Sequence, residues 1–158
     1  MAELTGYNKM YASDTTAIDS SLQHPLGTRA YDEDGNEYIY LTGVALTAAG
    51  YVVSYDEVHI TTLAVANAKG RVAVAMAATI ASTYGWYQIY GKNATVANRT
   101  AVATDLPLFL TASAGMVDDA DVAGDLINGM LSRSATNAAA SPLTVELNYP
   151  FVNDSAND

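Results

Sequence analysis

Period-two alternation of large apolar residues with small or polar ones recurs along this chain, and Gly70–Gly91 concentrates it. Val72, Val74 and Met76 alternate with Ala73, Ala75 and Ala77, and Tyr84–Tyr90 alternates again around Trp86, the single tryptophan. Such segments, rich in β-branched and aromatic residues, predict a buried strand pair joined across Thr79–Thr83. The alanine side predicts close packing and the valine side a filled core. We expect the structural core to gather Trp86, Tyr84, Ile89, Val72 and Val74, with Val145 and Leu147 from the last strand.

The pattern predicts strands elsewhere too. Tyr31–Tyr38 encloses Asp34-Gly35, a hairpin signal, and Tyr38–Leu41 continues the second strand to Gly43. Val44–Gly50 is a weak, alanine-rich segment. Tyr51–Tyr55 and Val58–Val65 read as strands, and Asn67–Gly70 as a turn. Ala94–Ala103 resembles a half-exposed strand of its own. Pro107 places Leu106–Leu110 at a strand start or a sheet edge, because proline cannot donate to a ladder. Ile127–Ala135 is a strand containing Gly129. In Leu143–Tyr149, Leu143, Val145, Leu147 and Tyr149 face one way, Thr144, Glu146 and Asn148 the other, and Pro150 ends the run.

About eight to ten short strands, with turn signals every 8–12 residues or so, predict an all-β fold: a compact antiparallel β-barrel or β-sandwich. The expected domain spans 27–152. Residues 1–26 read as an extended N-terminal arm, in which Leu4, Tyr7, Met10 and Tyr11 are the candidate anchors for contact with another subunit. Residues 153–158 read as a flexible C-terminal tail.

Charge narrows the partners. The net charge is −10, and the seven basic residues are scattered, so no phosphate-tracking stripe forms. Nucleic acid and anionic membrane surfaces are therefore not expected as partners. There are no cysteines, which excludes thiolate chemistry. The N-terminus lacks the basic-then-apolar pattern of a signal peptide, and no apolar run reaches the roughly 20 residues of a membrane span. These features suit synthesis in a cytoplasm.

No catalytic signature stands out, and no enzyme activity, cofactor or metal is expected. The two histidines, His24 and His59, lie near no nucleophile motif. The acidic turns Asp32–Glu37 and Asp118–Asp125 lack the ligand spacing of a calcium loop and read as solvated turns. Gly85–Asn93 fails as a phosphate loop because bulky aromatics fill it. The matches to the glycosylation acceptor at Asn93, Asn98 and Asn153 read as chance. Eleven tyrosines against two phenylalanines suit interfaces or carbohydrate stacking, or simply fill the half-buried sides of strands at Tyr38, Tyr40, Tyr84 and Tyr87.

Tyr84-Gly85-Trp86-Tyr87-Gln88-Ile89-Tyr90-Gly91, the Ala94–Ala103 alternation, Leu108–Gly115, the closing Val145–Phe151 and the leading His24–Thr28 together resemble the capsid decoration (cement) proteins of tailed bacteriophages. The similarity covers roughly residues 24–152. It implies a small, all-β homotrimer that binds the major capsid protein on the outer surface of the assembled head and stabilises the virion by bridging subunits, with an N-terminal arm reaching neighbours. The alternative is a carbohydrate-binding or adhesin module of a virion, in a head fibre or tail component.

Overall fold

The computed structural model describes residues 14–153, with the side chains of residues 93 and 94 outside that description. All regular structure among the described residues is β, in eleven strands: β1 (Ile18–Asp19), β2 (Arg29–Tyr31), β3 (Glu37–Thr42), β4 (Val52–Tyr55), β5 (Thr61–Leu63), β6 (Gly70–Ala75), β7 (Tyr84–Val96), β8 (Pro107–Leu110), β9 (Val117–Asp118), β10 (Leu126–Ser132) and β11 (Leu143–Val152). Every strand pair is antiparallel, and the expected all-β class is what the chain adopts.

The 13-residue β7 is the trunk. One edge of its first half pairs with β3, from Glu37↔Tyr90 to Thr42↔Tyr84. The other edge takes three partners in turn: β1 at Gly85, β6 at Tyr87 and Gln88, then β11 from Tyr90 to Val96. From that edge the sheet forks. One branch runs β6–β4–β5, the other β11–β10–β8–β9. The branches curl towards each other and are joined by the segment after β8: Val52 N–H donates to the Gly115 carbonyl (2.9 Å), Gly115 N–H to Ala64 (2.7 Å) and Ala66 N–H to Thr111 (2.9 Å). Main-chain bonding thus joins the free sides of the two branches, the arrangement that removes exposed edges in barrels.

Three apolar layers follow from the alternation. Val72 and Val74 of β6 point into the space between the branches, with Val52, Leu108, Leu110, Ile127, Met130, Leu143, Val145 and Leu147. Ala73 and Ala75 point the other way, where small side chains let β3 and β7 pack closely through Ile39, Leu41, Tyr87 and Ile89. The outer face of β3 and β7 carries Tyr38, Tyr40 and Trp86, with Tyr84 and Leu26 half-buried beside them. β3 is consequently buried on both faces, from Glu37 to Leu41. Tyr38, Tyr40 and Tyr87 fill strand interiors rather than line a surface.

Two strands run further than their sequence suggests. β7 continues through Gly91, taking in the start of the segment expected as a separate strand over Ala94–Ala103. Beyond Val96 that segment makes only isolated bridges, Asn98↔Val117 and Val102↔Thr136. At Gly91 (φ +95°) a side chain would collide with Asn36. The β3–β7 ladder ends at Tyr90 while β11 stays paired through Gly91, and side chains take over on the β3 edge. Asn36 Oδ1 accepts the Lys92 N–H (2.8 Å), and the buried Gln88 amide donates to the carbonyls of Tyr90 (3.1 Å) and Lys92 (2.8 Å). Left unpaired in the interior, such a group costs about 1–3 kcal/mol.

β11 likewise continues past Pro150. Its register shifts against β10 between Asn128 and Met130, and Tyr149 adopts φ +46°. Proline is tolerated at a bulge of this kind. Beyond it β11 changes partner, from β7 at Asn148↔Tyr90 to β6 at Phe151↔Arg71. The bulge also turns Tyr149 outward. Period two puts it on the buried face of Leu143, Val145 and Leu147, yet it is 47% exposed while those three are buried.

The strand expected over Val58–Val65 is shorter, Thr61–Leu63, and His59 lies in the preceding turn at φ +68°, not in a ladder. The segment 14–26 lies on the domain: β1 pairs with β7, His24 packs edge-on to Tyr40 (centroids 5.2 Å) and against Trp86 (5.4 Å), and Leu26 joins the same cluster.

Candidate interaction surface

Three connections leave the sheet at one point, the end of β3. The Thr42 carbonyl accepts from the Thr61 hydroxyl (2.8 Å) and the Tyr87 phenol (3.1 Å), and Thr42 Oγ1 accepts the Thr61 N–H (3.0 Å). The next residue, Gly43, donates its N–H to the Thr83 carbonyl at 2.7 Å. These bonds gather the loops after β3, before β5 and before β7.

Each loop is held by its own short-range bonds. The Asp56 carboxylate accepts the N–H groups of Val58 (3.0 Å) and Ile60 (2.9 Å), the Thr83 hydroxyl donates to the Ile80 carbonyl (2.7 Å), and the Thr47 hydroxyl donates to that of Val44 (2.8 Å). Asp and Thr side chains bonding nearby backbone in this way favour turns over strands.

The loops present apolar side chains to water: Leu46 is 85% exposed, Ile80 61%, Val58 56% and Ile60 54%. Each loop also carries one non-glycine residue in the left-handed region: Leu46 (φ +66°), His59 (φ +68°) and Ser82 (φ +63°). That conformation costs roughly 1–2 kcal/mol per L-residue. Strain of this kind collects at contact and switch regions, and exposed apolar groups on loops bonded together at their bases make this end the candidate interaction surface. The sequence pattern does not single out these residues: Val58 and Ile60 fall in an expected strand, Leu46 in a weak alanine-rich segment and Ile80 in a connection, and only long-range bonds bring the loops together. Leu46 next to the alanine-rich stretch was the available signal.

The candidate arm anchors Leu4, Tyr7, Met10 and Tyr11 lie outside the described residues. The expected core residues Trp86, Ile89, Val72, Val74, Val145 and Leu147 are buried. Among the described residues no group of three or more His, Asp or Glu is arranged to hold a metal ion. His59 stacks on Tyr55 at 6.4 Å, and His24 is engaged with Tyr40 and Trp86.

The acidic turns are only partly solvated. Asp32 accepts from the Asp34 and Asn36 N–H groups, the Asn36 amide and the Tyr38 phenol. Partial burial raises its carboxyl, but those bonds outweigh burial and hold it below its ordinary value. Glu37, expected in the same solvated turn, is buried and paired with Arg29 at 2.8 Å. Asp125 is buried too and accepts the Asn67 N–H at 2.6 Å. Asn98 is inaccessible to glycosylation: it is fully buried, with its amide directed at Thr100, Thr136 and Ala138.

No protein-family profile, curated protein or solved structure matches this chain.

Proposed function

We propose that this chain is a non-enzymatic virion protein that decorates the outer surface of an assembled tailed-phage head and stabilises it by bridging major capsid protein subunits. The observation that carries this reading is the loop end at Thr42–Gly43, where Leu46, Val58, Ile60 and Ile80 stand exposed on pinned, strained loops. Burying such a surface against a partner is favourable in proportion to the apolar area removed from water. Loops held in advance lose less freedom on docking.

Two further features support it. The chain carries −10 net charge, which suppresses self-association outside a built contact and disfavours capture of nucleic acid. The residues that resemble decoration proteins include the β7 and β11 sequences on which the fold is built. In a homotrimer, three such ends would act together, so that modest single contacts add up through avidity. The arm anchors Leu4, Tyr7, Met10 and Tyr11 would extend the contact to a neighbouring subunit.

The test is co-sedimentation of the full chain with purified capsids, alongside its native mass. Leu46→Asp combined with Ile80→Asp should abolish co-sedimentation while leaving the melting transition in place. Undiminished capsid binding by that double variant would remove the loop end from the interface.

A further inference from the structure

A second surface lies where β4, β6 and β11 meet. Arg71 is the cross-strand partner of Tyr55 on one side and of Phe151 on the other. With Arg29, Tyr149 and Pro150 these residues line an open cavity of about 450 Å³, within the range of small-ligand sites. The bulge that sends Tyr149 outward also brings its ring to this cavity, 5.2 Å from that of Tyr90.

The wall is built rather than incidental. Glu37, only 3% exposed, uses both oxygens: Oε1 holds Arg29 at 2.8 Å, and Oε2 accepts the Tyr149 phenol at 2.7 Å. Arg29 lies 5.8 Å from the centre of the Tyr149 ring, and Arg71 lies 5.9 Å from that of Tyr55. Cations over tyrosine faces are oriented by the ring quadrupole. Among the described residues no carboxylate pairs with Arg71; its guanidinium meets the Tyr55 phenol, and a fork of five donors has others to offer a ligand.

We propose that this cavity binds an acidic saccharide, a sugar ring bearing a carboxylate such as a hexuronate. The carboxylate meets the Arg71 guanidinium, whose planar fork matches it. The apolar face of the sugar ring rests against Tyr149 and Phe151, which are 47% and 46% exposed and both line the cavity, and its hydroxyls stay in water at the open side. One carboxylate per ring, spaced by neutral groups, is tolerated by a chain of −10 net charge, where a row of phosphates would be repelled. This site is separate from the loop end and does not depend on the capsid reading.

The experiment is an amide NMR titration of the full chain with a glucuronate-containing tetrasaccharide, with a neutral glucose tetrasaccharide as comparison. The acidic sugar should shift residues 29, 55, 71 and 149–151, and the neutral one should bind at least about tenfold more weakly, as expected for loss of a charge-assisted hydrogen bond. Arg71→Met and Tyr149→Ala should each weaken binding by a similar factor, while Arg133→Ala, which is paired with Asp105 and Glu146 instead, should not. The same spectra report whether each variant is folded, and Arg71, being on the surface, supplies a variant that keeps its core. Equal affinity for the neutral sugar, wild-type binding by Arg71→Met, absence of shifts, or preferential binding of an acidic peptide would each overturn the proposal.

Discussion

The Tyr40 phenol donates to the Asp19 carboxylate at 2.5 Å, joining the middle of β3 to a residue 21 positions earlier. Burial, then this bond, pushes the Tyr40 phenol up to about 12, so it stays a donor at every physiological pH. Together with His24 over Trp86, the bond makes residues 14–26 a cover for the aromatic layer. Removing residues 1–23 should therefore lower the melting temperature and expose Trp86. Tyr40→Phe alone should cost about 1 kcal/mol. Melts followed by Trp86 fluorescence check both.

Trp86→Ala should destabilise the fold by about 3–5 kcal/mol, because it empties the centre of that layer. Capsid binding should fall only as far as the folded fraction falls. A variant that melts normally yet fails to co-sediment with capsids would contradict this assignment.

Leu46→Gly should act in opposite directions on stability and binding. Glycine adopts φ +66° without steric cost, so a gain of roughly 1 kcal/mol in stability is expected. The leucine side chain, which is 85% exposed, contributes almost no packing to lose. Capsid affinity should drop at the same time, the usual exchange at a strained contact. Thermal melts and co-sedimentation on the same sample read both effects.

Gly129→Ala should be among the most damaging single-methyl changes. Gly129 has φ +80°, and a β-carbon there would run into the Asn148 carbonyl across the β10–β11 bulge. We expect a loss of about 2–4 kcal/mol from strain and displacement together. Hydrogen exchange should localise the damage to β10 and β11.

Acid sensitivity should show one inverted contribution. Burial pushes the Asp118 carboxyl above its ordinary 3.8 against the Ala120 N–H, and the charges of Asp119 and Asp125 add to the rise while Arg99 opposes it. A raised folded value means that the folded state holds this proton more tightly than the unfolded chain. Ionised Asp118 therefore destabilises at neutral pH, and that penalty vanishes as pH falls below the unfolded value. Asp118→Asn keeps an acceptor for Ala120 and removes the charge. It should melt higher than wild type at about pH 7 and identically at about pH 3.

The fold was legible where local pattern and final environment agree. The opposed valines and alanines of β6 face two different cores, as their alternation implies, and Pro107 opens β8. The pattern misled where the backbone leaves the left- or right-facing alternation. Tyr149 shares its phase with Leu147, but one positive φ reverses it, and the cause lies partly in Gly129 on another strand. Pro150 was a fair warning, since a proline inside a strand implies an edge or a bulge. The loop end was not legible, because bonds such as Thr42 to Thr61 and Gly43 to Thr83 connect segments far apart in sequence. The buried roles of Glu37 and Asp125 were hidden for the same reason.

The trunk strand β7 takes its partners from both ends of the described chain, Ile18–Asp19 and Leu143–Asn148, and β6 is completed only by Phe151 and Val152. The sheet cannot close until residues 143–152 are available, because each branch lacks a border until then. Folding should thus wait for this last strand and be slow, in the roughly millisecond-to-second range set by non-local pairing. The nascent chain meanwhile exposes the edges of β6 and β7, so a truncation before residue 143 should yield aggregates rather than a smaller folded protein.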